Sequence, residues 1–332
     1  MSDRPRPLGW FERRPERPQV VAAYRYLLGR EPESEAVIAA HLAAASTNRD
    51  LRNRFLASAE CRAQFDPARW RPMELDLPPA DVETEAGEGA LQALLARTGR
   101  AWTGLGEAGA HWSVVTDDRF RPDRLAENLA AFEATGAEAC RVALAMLARH
   151  GIAPAALPHC LEFGCGVGRI TLPLSRHFAR VTGCDISDPH LGFAREAAEI
   201  AGRGNIAWWH ATPEAPLPAP PWDLWFSQLV LQHNPPPVSR EVLRRAFAGL
   251  APGGVALFQL LTHIRGYRFS MADYLARPPA AGMEMHALPQ VEVFRLAAEA
   301  GLAVLEVRED SHQATREAGR YLSHSFVLRR PG

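Results

Sequence analysis

The stretch Leu161–Ile170, "LEFGCGVGRI", places Gly164, Gly166 and Gly168 at alternate positions directly behind a short apolar run. After a parallel strand the chain must reverse into a helix. Glycine permits both a positive φ and the approach of a ligand to backbone bare of Cβ. The helix expected next, over about 167–177, would offer orphan N–H groups to an anionic or polar ligand. Taken alone, the same three glycines also fit a plain strand-to-helix turn.

The next strand shifts that balance. "ARVTGCDIS" ends at Asp185, about twenty residues past the loop, where a carboxylate can accept both hydroxyls of a ribose. The alternative is a helix cap, for which Ser187 and Asp188 stand nearer to the following helix. From "LPHCLEFG" onward, short apolar strands are expected near 158–163, 180–184, 205–209, 223–227, 254–261, 302–308 and 323–329. Helices are expected near 167–177, 188–201, 238–250 and 289–300. This alternation predicts βαβ units and an α/β fold with a parallel sheet. The glycine spacing is GxGxG, not the GxGxxG of a dinucleotide fingerprint, which disfavours a nicotinamide-dependent oxidoreductase.

An acidic residue, Glu162, precedes the first glycine by two places. With it the region resembles the class I S-adenosylmethionine-dependent methyltransferases. The motifs "LEFGCGVGRIT", "VTGCDIS", "WDLWFSQLVLQHN", "LAPGGVALFQL" and "LSHSFVLRR" carry the resemblance over about residues 155–330. It implies a Rossmann-like, mostly parallel sheet of seven strands with the last one antiparallel, and S-adenosylmethionine as cofactor. By the same resemblance Glu162, Gly164, Cys165 and Gly166 would line its methionine end, Asp185 would bind the ribose and Ile186 would pack on the adenine. Gln228, at the end of the fourth strand, would lie beside the methyl group. The family often has an acidic residue after the third strand. This chain reads "WWHATPE" there, which leaves Thr212 or a backbone carbonyl for the adenine.

Methyl transfer from a sulfonium needs an aligned acceptor, and a hydroxyl acceptor gains from a general base. Histidine suits that role because it titrates near neutrality. His233 follows the strand that would end at the methyl group, and the competing reading is a hydrogen bond that shapes a loop closed by Pro235, Pro236 and Pro237. Gln232 is its neighbour in the same loop. The insert "THIRGYRFSMADYLARPPAAGMEMHALPQ" is long for a plain connection and is expected to cap the pocket. It brings His263, Arg265, Tyr267, Arg268, Tyr274 and His286 as candidate substrate contacts, with a solvated loop as the alternative. Trp112 in "HWSVVTDDRF" is a further candidate, or else a core residue. "FSQLVLQH" lacks the carboxylates of metal-dependent relatives, so no metal is expected.

Upstream, residues 1–18 read as a disordered arm of alternating Pro and Arg, and 19–66 as three short helices, the second capped by Ser34. Residues 67–106 read as a linker, Pro- and acid-rich over 67–90 with one more helix possible in "LQALLARTGRAWTGLG", and 107–150 as a helical extension, ahead of the cofactor-binding domain from 151. "YRYLLGREPESEAVIAAHL" and "LRNRFLASAEC" resemble a small bacterial domain of unknown function with an LLGREP signature, found beside glycan-modifying enzymes. That resemblance implies a saccharide or glycan-assembly setting, with docking or dimerisation through the helices as the alternative.

The formal net charge of the 332 residues is −1, and all 37 basic side chains other than histidine are arginine. Such a balance gives no electrostatic footprint for nucleic acid. The five cysteines show no paired spacing and read as buried thiols. No signal peptide or membrane span is apparent, which leads to the expectation of a cytoplasmic protein. The expected activity is methyl transfer to an oxygen of a small molecule, sugar or glycan precursor. The alternative is a non-catalytic binding or adaptor module on the same fold.

Overall fold

The computed structural model describes residues 9–64, 80–280, 282–310 and 320–332. The chain divides into two units, Met1–Pro72 and Met73–Gly332.

In the first unit α1 (Arg17–Ala23) runs on through a π-helical turn, Tyr24–Leu28, and stops at Gly29 with φ +66°. It is followed by α2 (Glu35–Ala44), α3 (Asn48–Ala57) and α4 (Ala59–Gln64). Ser34 caps α2 by accepting from the Val37 N–H at 3.3 Å, the role its position predicts. Val20, Tyr24, Leu28, Ile38, Leu51 and Phe55 form the core. The expected arm at 1–18 needs correction over its second half, residues 1–8 lying outside the described residues. Asn48 Nδ2 donates to the Trp10 carbonyl and the Asn48 N–H to that of Arg13, each at 2.8 Å, which ties this segment to α3.

The second unit opens with α5 (Glu88–Val115), interrupted at Gly109, and α6 (Leu125–Arg149). The reading of 67–106 as a linker is therefore corrected from Glu88 onward. Residues 65–79 lie outside the described residues. The strands are β1 (His159–Phe163), β2 (Arg180–Asp185), β3 (Ile206–His210), β4 (Trp222–Ser227), β5 (Leu250–Ile264), β6 (Ala303–Glu309) and β7 (Tyr321–Arg329). Between them lie α7 (Thr171–Leu174), α8 (Asp188–Ile200), α9 (Pro236–Ala248), α10 (Met271–Ala276) and α11 (Gln290–Glu299). The sheet order is β3-β2-β1-β4-β5-β7-β6, with β7 antiparallel to both neighbours. This is the expected Rossmann-like methyltransferase sheet. The helix expected over 167–177 shrinks to one turn, because Gly166 and Gly168 hold φ of +55° and +78° and delay helical geometry until Thr171.

Side chains of each strand alternate between two cores, as the pleat requires. Leu161, Trp225, Phe258 and Phe326 pack with Val242 of α9 and Leu296 of α11. Their chain neighbours Cys160, Leu224, Leu257 and Val327 pack with Leu147 of α6 and Leu174 of α7. Strand order reverses between β1 and β4, so the carboxyl ends of β1, β2 and β4 open onto one crevice, the place where open α/β sheets bind ligands.

Candidate active site

The glycine loop is built by bonds that bend it back onto β2. The Gly164 and Cys165 N–H groups both donate to the Cys184 carbonyl, at 2.7 and 3.0 Å. The Gly166 N–H donates to Asp185 Oδ2 at 2.8 Å, and Asp185 Oδ1 accepts from the Ser187 N–H at 2.9 Å. Asp185 thus ties the loop to the entry of α8, which is the kind of structural role that stood as the alternative to ribose binding. A Cβ at Gly164 would lie 2.3 Å from the methyl groups of Val230, and one at Gly166 would lie 2.6 Å from Val114. No larger residue fits this cradle without movement.

Above the loop lies a cavity of about 700 Å³. Of the residues singled out from sequence, Trp112, Glu162, Gly164, Cys165, Gly166, Asp185, Ile186, Gln228, Gln232 and His233 line it. Thr212 does not. Its Oγ1 accepts from the Ala215 N–H at 3.1 Å, which turns the side chain into its own loop and leaves Ala211 at the cavity wall. His263 lines neither this cavity nor its neighbour, and its Nε2 is buried without a partner. Arg265, Tyr267 and His286 line a second cavity of about 400 Å³ that shares Met285 and Tyr321 with the first.

Several wall residues carry no local signal in the sequence. α5 contributes Leu95, Thr98, Trp102 and Ser113. His190 of α8 is 1% exposed and joins α5 to the cofactor side, with Nε2 at 2.7 Å from Ser113 Oγ and Nδ1 at 2.7 Å from Ser187 Oγ. A Cβ at Gly106 would come within 2.6 Å of His190 Nδ1, so that helical glycine is where α5 and α8 approach.

The polarity of the His233 side follows from groups that can only donate or only accept. The Leu229 N–H donates to Gln259 Oε1 at 3.0 Å, which leaves Gln259 Nε2 to donate to Gln232 Oε1 at 3.2 Å and to Ser323 Oγ at 2.6 Å. Gln232 Nε2 then faces His233 Nε2 at 3.3 Å, and the Glu284 carbonyl accepts from His233 Nδ1 at 2.9 Å. The proton therefore sits on Nδ1, and Nε2 carries the lone pair. Burial lowers the His233 pKa, against a smaller opposing effect of the Glu284 carbonyl. Leu229 holds φ at +59°, a left-handed conformation rare for a branched side chain, between Gln228 and this network.

Glu162 is buried and accepts from Thr171 Oγ1 at 2.6 Å. Burial pushes its carboxyl up to about 8, and the Thr171 bond and nearby Arg169 offset only part of that. The Cys165 thiol is pushed well up by burial and behaves as a small loop residue. Among the described residues no three His, Cys, Asp or Glu side chains converge on a possible metal position. Among them, too, no helix is long and apolar enough to cross a membrane.

Residues 160–254 match the family described as "Methyltransferase domain". Over 132 residues the chain is 38% identical to a trans-aconitate 2-methyltransferase of Paracidovorax citrulli, covering 37% of this chain and 45% of that protein. Over 98 residues it is 35% identical to a ubiquinone biosynthesis O-methyltransferase of Ruegeria pomeroyi, covering 29% and 38%. The chain thus spans less than half the length of either relative. Among solved structures it is similar to a magnesium protoporphyrin IX methyltransferase from Synechocystis, with 18% identity, 70% of this chain and 97% of that one covered, and a TM-score of 0.48.

Proposed function

We propose that this chain transfers a methyl group from S-adenosylmethionine to an oxygen of a small-molecule acceptor. One observation carries the reading. The Gly164–Gly166 cradle, Glu162 and Asp185, which line one side of the cavity, all fall within residues 160–254, the segment that matches the methyltransferase family.

The residues present fit such a cofactor. Asp185 keeps a lone pair on each oxygen beyond its two backbone bonds, enough for two ribose hydroxyls. Glu162 is a buried carboxyl whose ionised form a cationic ligand group would favour, as nearby Arg169 does in part, and among the described residues Trp112 Nε1 is a buried donor without an acceptor. When bound, S-adenosylmethionine supplies an electrophilic methyl carbon on a sulfonium. The chain aligns the acceptor and excludes water, with Trp102 and Leu95 of α5 walling the cavity, and such positioning is worth on the order of 7–11 kcal/mol. His233 Nε2 takes the proton of an acceptor hydroxyl, which replaces the Gln232 Nε2–H that donates to that lone pair at 3.3 Å. The Glu284 carbonyl, already bonded to Nδ1–H, steadies the imidazolium that results.

Two results test this. Asp185→Ala should lower S-adenosylhomocysteine affinity by about 1–3 kcal/mol in calorimetry, the loss of charge-assisted bonds. An unchanged dissociation constant would sink the cofactor assignment. His233→Gln should reduce kcat about 10²–10⁴-fold with little change in cofactor binding. Because burial depresses the His233 pKa, the base stays unprotonated through neutral pH. The acid limb of the kcat profile should then fall below the ordinary histidine range and vanish in the variant. A limb that persists in His233→Gln would assign the base elsewhere.

A further inference from the structure

Building on that methyltransferase reading, we infer that the acceptor is an organic anion carrying two or more charges, its acidic group held by arginines in the second cavity. Among the described residues, Arg265, Arg268, Arg277 and Arg320 line that cavity with one carboxylate, that of Glu284, and Arg265 and Arg320 have further partners of their own. Glu284 is engaged by Tyr274, whose hydroxyl donates to Oε2 at 2.5 Å. Among the described residues neither Arg268 nor Arg277 forms an ion pair with a carboxylate. Guanidiniums are the side chains whose planar forks match carboxylate and phosphate oxygens.

The site is built on fixed supports. Arg97 of α5 donates to the carbonyls of Tyr274, Arg277 and Pro278 at 2.7, 2.8 and 3.0 Å, which anchors the end of α10 where Arg277 stands. Deeper in, His286 is 6% exposed. Its Nδ1 meets the Tyr267 hydroxyl at 2.7 Å, and among the described residues its Nε2 is buried without a partner. A buried polar atom left unmatched at a cavity wall is the kind of group that a ligand satisfies. Burial, then His233, Arg277 and Arg97, hold His286 down to about 3, so it stays neutral there.

The two cavities are joined by one short segment. The Glu284 carbonyl orients His233 in the first cavity, while the Glu284 and His286 side chains line the second and Met285 lines both. The His286 N–H also donates to the Gln232 carbonyl at 2.7 Å. An acid gripped by the arginines would thereby present a second oxygen past Met285 toward His233 Nε2.

The test is calorimetry on the full chain loaded with S-adenosylhomocysteine, titrated with citrate, with glycerol 3-phosphate and with uncharged triethyl citrate. Citrate or glycerol 3-phosphate should bind at least about tenfold tighter than triethyl citrate, and should weaken as salt is raised. Preference for the first identifies carboxylate as the anchored group, and for the second, phosphate. Arg268→Gln and Arg277→Gln, both exposed positions that should fold, are each expected to weaken anion binding about threefold, and together about tenfold. Their S-adenosylhomocysteine affinity should not change. Equal binding of the uncharged ester, no anion binding, or no effect of the double variant would overturn the inference while leaving the cofactor reading intact. Failure of the wild-type chain to bind S-adenosylhomocysteine would strike that reading instead.

Discussion

Gly164→Ala is expected to destabilise the second unit by roughly 2–5 kcal/mol and to remove most cofactor binding. Two costs combine. A non-glycine residue held at φ +75° loses about 1–2 kcal/mol to the clash of Cβ with the backbone. The new Cβ would also stand 2.3 Å from both methyl carbons of Val230 and 2.8 Å from its Cβ. A β-branched side chain has little rotamer freedom with which to retreat, so the backbone must move, adding about 1–3 kcal/mol of overpacking. Val230 leads into Leu231–His233, so the movement would displace His233 as well. Gly253 is the control, with φ of +77° and nothing within 4 Å of where an alanine Cβ would stand. Gly253→Ala should show only the conformational part in urea midpoints. Adding Val230→Ala to Gly164→Ala should restore the steric part, a coupling that a double-mutant cycle reads directly. Equal losses at Gly164 and Gly253 would show that Val230 is not the obstacle.

The elements most legible in the sequence are those whose local pattern and burial agree. The centre of β5, "VALFQLL", is apolar on both faces apart from Gln259 because both faces are covered, and β4, "WDLWFS", buries Leu224 and Phe226 in one core and Trp225 in the other. α5 is legible only in part, "LQALLARTGRAWTGLG" offering one helix inside the linker but not its full length. Gly99, Gly104, Gly106 and Gly109 in one segment read as breakers, since glycine weakens a helix interior. Yet Gly106 sits where a Cβ would meet His190, and Gly99 where one would touch Ile186 at 3.4 Å. Those glycines record how closely α5 approaches its neighbours, information held by residues about 80 positions downstream. His190 is silent in the sequence for the same reason, its partner Ser113 lying in α5. Thr212 is suggested by its position after β3, but a short polar side chain in a turn satisfies its own backbone first. The insert after β5 reads as one cap. In the structure its residues divide between two cavities, with Met283 lining the first, Glu284 and His286 the second and Met285 both.

Glu162→Gln should remove an unusual pH dependence of stability around the site. The carboxyl titrates near 4.5 when unfolded and is pushed up to about 8 in the fold, mainly by burial. Between those values the folded chain binds more protons than the unfolded one, so stability falls as pH rises through the window and levels off above about 8. This is the opposite sign from a salt-bridged carboxylate. At about 1.4 kcal/mol per unit, the loss is on the order of 3–5 kcal/mol. The neutral amide keeps an oxygen for the Thr171 hydroxyl and has no charge to bury, so the variant should be flat over the same range. Urea midpoints at pH 5 and pH 8.5 measure both slopes. The same carboxyl should act on binding. A cationic ligand beside Glu162 favours its ionised form, so near pH 7 cofactor binding by the wild type should release close to one proton. Calorimetry in two buffers of different ionisation enthalpy reads that release, and Glu162→Gln should abolish it. Equal proton release by wild type and variant would place the cation of the ligand away from Glu162, and with it the methionine end of the cofactor.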